Sequence, residues 1–250
     1  MVIKKRSLLW DWTNTQKVPK QMEKVNFDGP ISSVSNWNAW VPPELEGRAP
    51  FRPMIHLERE LAGNEWKWIL ESKESIVHFF NEPERAGISV EKAAKYWKDQ
   101  VVPALRKERH KELVSPSCAS DPAGTDWIIR FMNHPDVKAD PPNYLGIHYY
   151  GTEGWEAKKY IEDLHNKFPA QKVIVSEIAS ISRHPPSVEG FMIDMCNWFD
   201  ERDWVFEYGF FGCITHLADE FVSPAAQLMR EDGSFTPLME RYMDQQPMHW

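Results

Sequence analysis

The chain has 250 residues, 42% of them hydrophobic and 26% charged, which fits one ordinary (β/α)8 barrel with a sizeable core and excludes disordered and fibrous classes. A formal charge of −8 argues against nucleic acid, whose phosphates require a basic face. No apolar stretch approaches the roughly 18 residues of a membrane span, so no membrane partner is expected.

In chain order, Ser7–Trp12 is the first candidate strand and Ile31–Trp37 the second, with no helical stripe in Thr13–Pro30 between them. Trp37–Phe51 also lacks a helix, and the Pro-rich Val41–Pro53 reads as a rim loop before the third strand, Arg52–Leu57. Gly63–Ser72 is a weak helix ahead of the fourth strand, Ile76–Phe80. Val90–Lys107 carries Ala93, Ala94, Trp97, Val101 and Leu105 on one helical stripe, with Ser89 placed to cap it. Glu112–Ser117 is the fifth strand, followed by a helix over Thr125–Met132 with Thr125 as its cap. Tyr144–Tyr149 is the sixth, and Glu153–Phe168 is a helix stopped by Pro169. Lys172–Ser176 is the seventh strand, Val188–Asp203 a helix capped by Ser187, and Val205–Cys213 the eighth. Short apolar runs that end in turn residues are strands covered on both faces. Their alternation with helices predicts an α/β protein, a single compact (β/α)8 TIM barrel over residues 1–250 with reduced outer helices in its front half.

Several chemistries lose their usual sequence support. There is no G-x-G-x-x-G, no Gly-x-Ser-x-Gly elbow and no H-E-x-x-H, and Thr152 stands where a P-loop starting at Gly146 requires lysine. Cys118, Cys196 and Cys213 form no C-x-x-C pair and read as buried free thiols, with one disulfide and a leftover thiol as the alternative. No metal and no cofactor are expected. The apolar run after Lys4–Arg6 ends at Asp11, too short for a signal-peptide core, and the expectation is an extracellular or cell-wall protein whose leader has been removed.

Carboxylate chemistry remains. Glu82, in Asn81-Glu82-Pro83-Glu84, and Glu177, in Ser176-Glu177-Ile178, each sit where a buried strand breaks into polar residues. That is the rim where parallel barrels perform chemistry, and two carboxylates there suffice to cleave a glycosidic bond. One donates a proton to the departing oxygen, and the other stabilises or traps the oxocarbenium-like centre. Strands four and seven lie across a barrel from each other, so the two can meet over its mouth.

The ordered set Lys5-Arg6-Ser7-Leu8-Leu9-Trp10, Ser35-Asn36-Trp37, Pro53-Met54, Phe80-Asn81-Glu82-Pro83-Glu84, Ser115-Pro116, Gly146-Ile147-His148-Tyr149-Tyr150-Gly151 and Ser176-Glu177 resembles the glycosyl hydrolase catalytic core family. These are compact-barrel β-1,3-glucanases of glycoside hydrolase family 128, in the Asn-Glu clan of retaining glycosidases. The resemblance runs from about Arg6 to about Phe211. It implies that Glu82 is the acid/base and Glu177 the nucleophile, and that Asn81 hydrogen-bonds the 2-hydroxyl of the sugar being cleaved. Strict strand alternation would aim Asn81 and Glu82 at opposite faces, so both can serve only if the strand end kinks. His148 and Tyr150 share an inward face, with Tyr150 placed to hydrogen-bond Glu177, and Asn36 and Trp37 match a rim pair that touches substrate. Tyr149 and Phe210 stand where the family commonly has tryptophan, aromatic changes that bear on subsite shape.

The implied activity is endo-acting, retaining hydrolysis of β-1,3-glucan or its oligosaccharides by a monomer, in a fungal-type cell-wall setting. The alternatives are a glucan-binding barrel without turnover and an exo-acting or transglycosylating relative. Trp10, Trp12, Trp127 and Trp155 are candidate sugar platforms, and Asp11 a candidate rim hydrogen-bonder.

Overall fold

The computed structural model describes residues 2–216 and 221–250. Its eight strands are β1 (Arg6–Trp10), β2 (Ile31–Ser35), β3 (Met54–Ile55), β4 (Ile76–Phe79), β5 (Glu112–Val114), β6 (Tyr144–Gly151), β7 (Lys172–Ser180) and β8 (Val205–Cys213). All ladder pairs are parallel, in the order β2-β1-β8-β7-β6-β5-β4-β3. The remaining seam, between β2 and the chain entering β3, is closed by a parallel bridge from Val34 to Phe51, with amide bonds Val34 to Pro50 (2.9 Å) and Arg52 to Val34 (2.8 Å). The result is the expected TIM barrel.

The helices are α1 (Trp12–Lys17), α2 (Gly63–Glu71), α3 (Val90–Tyr96), α4 (Pro122–Asn133), α5 (Pro135–Ala139), α6 (Gly154–Lys167), α7 (Pro185–Asp200) and α8 (Pro237–Asp244). α3 runs straight into a wide, π-type turn sequence over Trp97–Lys107 that contains Pro103, and the whole predicted stripe of Val90–Lys107 is buried. A proline within a helix removes one backbone donor, and widening the turn is one way the chain absorbs that loss. Ser89 caps α3 as predicted. Thr125 and Ser187 do not act as caps: Asp121 accepts from Gly124 N to start α4, and α7 begins after His184 with no side-chain cap. Asp11 likewise is an N-cap, accepting from Thr13 N, which ends β1 at Trp10 and begins α1. Between β2 and β3 the front of the barrel is thin, with only a short 3-10 turn at Pro43–Leu45, but between β1 and β2, where no helix was expected, the chain forms α1 and a 3-10 helix over Pro19–Lys24.

Alternation divides the core. Val77, Leu113, Leu145, Val173 and Val205 face the helices, whereas their neighbours Ile76, Val114, Tyr144, Ile174 and Phe206 form a separate cluster inside the barrel. Polar side chains, among them Ser7, Ser35, His78 and Ser176, share that interior. Arg52 and Glu207 make a two-pronged ion pair there, both contacts 2.9 Å, with side chains only 7% and 2% exposed. Arg52→Met is expected to lose about 3–5 kcal/mol of stability, since Glu207 would stay buried without its counter-ion. Urea denaturation of this variant beside an Arg52→Met/Glu207→Leu double variant checks the cause, because the double variant should recover most of the loss. α8 lies outside the sequence prediction. It buries Leu238, Met239, Tyr242 and Met243, and the buried Arg6 guanidinium ties its end to β1 through the Tyr242 and Gln245 carbonyls (2.7 and 2.8 Å). The three cysteines are buried free thiols. Among the described residues no helix is long and apolar enough to cross a membrane.

Candidate active site

The end of β4 is built on a kink. Phe80 (φ +53°) and Glu82 (φ +41°) flank Asn81 in left-handed backbone, which costs about 1–2 kcal/mol for each such residue. The hydrogen bonds account for it. Phe80 N and Asn81 N bond back to Ile55 and His56 beside β3, while Glu82 N turns across to the Ser117 carbonyl after β5 (2.8 Å). The kink breaks the strict strand alternation between Asn81 and Glu82. Asn81 Oδ1 is left buried with no hydrogen-bond partner in the protein.

Glu177 lies within β7, not at its end, because the strand runs on to Ser180. The register between β6 and β7 slips where Ile147 faces Val175 but His148 faces Glu177. Ser176 therefore stays in the barrel interior, bonded to Ser117 Oγ at 2.8 Å, while Glu177 still reaches the mouth. Each Glu177 oxygen has its own donor: Trp37 Nε1 to Oε1 at 2.6 Å and the Tyr150 hydroxyl to Oε2 at 2.8 Å. Trp37 reaches there from a left-handed turn (φ +62°) after β2.

His148 is fully buried between the two carboxylates. Its Nδ1 lies 3.0 Å from Glu82 Oε1, and its Nε2 is 3.5 Å from Glu177 Oε1, an ion-pair distance without hydrogen-bond alignment. Burial works against a charged imidazole, but the charge of Glu177 and the hydrogen bond and charge of Glu82 prevail, so its pKa is raised above the ordinary 6.5. For Glu82 burial favours the neutral acid, yet the His148 hydrogen bond and charge outweigh it and lower its pKa below 4.5. The two carboxylates thus favour the protonated form of His148 against the effect of its burial. Oxygens of Glu82 and Glu177 and a nitrogen of His148 lie within 4.8 Å of one another, the spacing of a possible cation site. The imidazole presents different nitrogens to the two glutamates, so a shared proton satisfies this arrangement better than a chelated metal.

A cavity of about 700 Å³ opens over the pair, lined by Glu82, Glu177, Tyr149, Tyr150, Phe211 and Phe221 among others. Several predicted site residues stand elsewhere. Phe210 is 2% exposed and packs on Phe191, Tyr208 and Tyr242, so it belongs to the core, and Phe211 takes the wall position beside Trp37 and Tyr150. The reason is a register slip between β7 and β8, where Val173 faces Val205 but Ile174 faces Glu207, which inverts the alternation of β8 downstream. Asn36 is fully buried and spends its amide on the loop, donating to the Trp40 carbonyl and accepting from Asn38 N (3.2 and 3.1 Å). It positions Trp37 and does not line the cavity. His148 likewise contacts carboxylates, not the cavity. Tyr149 packs outward on Tyr160 but contributes an edge to the wall. Trp10 and Trp127 are core, while Trp12 and Trp155 are exposed. Sequence reasoning missed the Arg85–Asp121 ion pair on the cavity wall (2.5 Å), Phe211 and Phe221. Only Arg85, three residues beyond Glu82, carried a local signal.

Paired carboxylates over the mouth of a parallel eight-stranded barrel, beneath an aromatic-walled cavity, define the class as a (β/α)8-barrel glycoside hydrolase. The family model described as "Glycosyl hydrolase catalytic core" matches residues 8–242, and the chain belongs to that family. Its fold is nearly superimposable on an exo-β-1,3-glucanase of glycoside hydrolase family 128, subgroup VI, from Aureobasidium namibiae, with TM-score 0.98, 57% identity and all of both chains covered. A subgroup V exo-β-1,3-glucanase from Cryptococcus neoformans is 27% identical at TM-score 0.81, covering 96% of this chain and 98% of that one. A subgroup IV endo-β-1,3-glucanase from Lentinula edodes shares the fold at 22% identity and TM-score 0.80, over 94% and 98% of the two chains. Among curated protein sequences, none matches the chain.

Proposed function

We propose that this protein hydrolyses β-1,3-glucan with retention, using Glu177 as nucleophile and Glu82 as acid/base. The observation that carries the reading is the pairing of the carboxylates: Glu82 and Glu177 line one cavity, and an oxygen of each lies within 4.8 Å of the other, a closeness that favours the about 5–5.5 Å carboxyl separation of retaining enzymes over the about 6.5–9.5 Å of inverting ones. Glu177, held by Trp37 and Tyr150, keeps a lone pair for the anomeric carbon. Glu82 gives its proton to the departing glycosidic oxygen, then takes one from the water that opens the glycosyl-enzyme bond. The proton shared with His148 is the source of the first transfer. The family resemblance assigns the sugar 2-hydroxyl to Asn81, and its Oδ1, which has no partner in the protein, has a lone pair to give it.

The sequence reading is endo-acting, but the exo-β-1,3-glucanase from Aureobasidium namibiae, at 57% identity, favours attack from a chain end. Digestion of β-1,3-glucan oligosaccharides labelled at the reducing end separates the modes. Early release of one short product with a slowly shrinking labelled remainder means exo action, and labelled fragments of all sizes mean endo action. A panel that includes β-1,4- and β-1,6-glucans should show turnover only where β-1,3 bonds occur. An extracellular or cell-wall address and a monomeric state belong to the same proposal.

Tyr150→Phe removes a donor to an ionised oxygen, an interaction of about 1.5–3 kcal/mol. A drop of about 10- to 100-fold in kcat is expected, with little change in thermal stability. Steady-state rates beside a melting curve check both halves.

A further inference from the structure

The barrel carries a second groove away from the catalytic mouth. The β2–β3 connection has no α-helix, and its segment 39–41 lies against the C-terminal part of α2 and the turn 72–74 that leads into β4. The groove between them is about 370 Å³, within the about 300–1,000 Å³ range of ligand sites. Trp40 and Trp68 line it together with Val41, and Trp68 and Val41 are 42% and 43% exposed. Glu71, Lys73 and Glu74 supply the polar edge.

Both sides are fixed. Lys111 Nζ donates to the Ser72 and Glu74 carbonyls, each at 2.7 Å, and Asn36 holds the Trp40 carbonyl. Asn36 also anchors the turn that delivers Trp37 to Glu177, so one loop serves the groove and the active site. Glu71 is paired with Lys67 (3.8 Å), and Lys73 and Glu74 offset each other in formal charge, so the edge has no excess of positive charge for a phosphate or other anion. A neutral ligand with apolar faces and a hydroxylated rim fits both the indoles and the charged edge. A β-linked glucose ring has this form, with axial C–H bonds on its faces and hydroxyls around its equator.

We propose that this groove is a second glucan-binding site, taking a stretch of β-1,3-glucan while another part of the polymer, or another chain, occupies the catalytic cavity. The inference rests on the glucanase reading, and its role is to hold the enzyme on an insoluble polymer.

The test measures retention on particulate β-1,3-glucan in a Glu177→Gln background, where turnover cannot erase binding, alongside hydrolysis of a β-1,3-linked glucose trisaccharide in the active background. Trp68→Ala should weaken polymer binding about tenfold and leave trisaccharide turnover within about twofold, while Trp68→Phe should retain most of the binding. Equal retention of Trp68→Ala and its parent on the polymer, with wild-type turnover intact, would overturn the second site and leave the glucanase reading standing. A parallel fall in trisaccharide turnover would also overturn it, since the residue would then act through the catalytic site. Absence of any β-1,3-glucan turnover by wild type would overturn the glucanase reading and the glucan occupant with it.

Discussion

Glu177→Gln is expected to abolish glucan hydrolysis, with kcat lowered at least about 10⁴-fold and the fold intact. Glutamine keeps the shape of the side chain: its amide oxygen can accept from Trp37 where Oε1 does now (2.6 Å), and its NH2 can donate to the Tyr150 hydroxyl, which turns from donor to acceptor at the Oε2 position (2.8 Å). What it lacks is the negative charge that attacks the anomeric carbon. Glu82→Gln differs in kind. On glucan it should lower kcat by about 10²–10⁴-fold, since a general acid is removed from a poor leaving group. On an aryl glucoside whose leaving group needs no proton, glycosylation should proceed and the glycosyl-enzyme should accumulate, visible as a burst followed by slow turnover. The nucleophile variant should show no burst on either substrate.

The second large effect concerns His148. His148→Ala should lower kcat/KM about 10- to 100-fold and move the basic limb of the pH profile toward acid. In the native site the proton needed by Glu82 is held jointly with an imidazole whose pKa is raised above 6.5, so the limb should fall above that value. Without the imidazole, the proton is held by a carboxyl alone and leaves at lower pH. Stability follows the same pair. His148, with its pKa raised on folding, contributes stability that is complete below about pH 6.5 and is lost as pH rises through the folded value. Glu82, with its pKa lowered, contributes above about pH 4.5 and loses that contribution as pH falls through its folded value. The pair should therefore stabilise the fold most between about pH 4.5 and 6.5. Melting temperatures of wild type and His148→Ala across that range should differ most within it and converge on the alkaline side. Gln in place of His148 separates charge from hydrogen bonding, because it can donate to Glu82 but carries no proton to share.

The two glutamates stood out because a short run of buried β-formers precedes each, although β7 continues past Glu177 to Ser180, and all eight strands were found from the same runs. Tyr150 was placed by the simple period of two from His148. The failures lie where a strand departs from that period. Phe210 was named because it stands where the resembling family commonly has tryptophan, and the slip at Phe206–Glu207 that gives the wall to Phe211 cannot be read from a run of aromatics; the same kind of slip let Ser176 and Glu177 serve one face. Asn36 was assigned to substrate because it matches a rim position of the resembling family, but an asparagine at a strand end can bind a ligand or build its own turn, and only the loop geometry distinguishes these. The helix α8 was missed because Pro237–Asp244 is short, and its four buried side chains make a weak period over barely two turns. The cavity wall from Arg85 and Asp121 joins two loops 36 positions apart, a pairing no local pattern encodes.

The most direct measurement is mass spectrometry of proteolytic peptides after incubation with a slow 2-deoxy-2-fluoro β-glucoside or its β-1,3-linked disaccharide. The account predicts one added glycosyl group, covalently attached to the Glu177 carboxyl, in the peptide that carries Ser176-Glu177-Ile178. A label on another residue, or an α-configured first product with no labelled peptide, would contradict it.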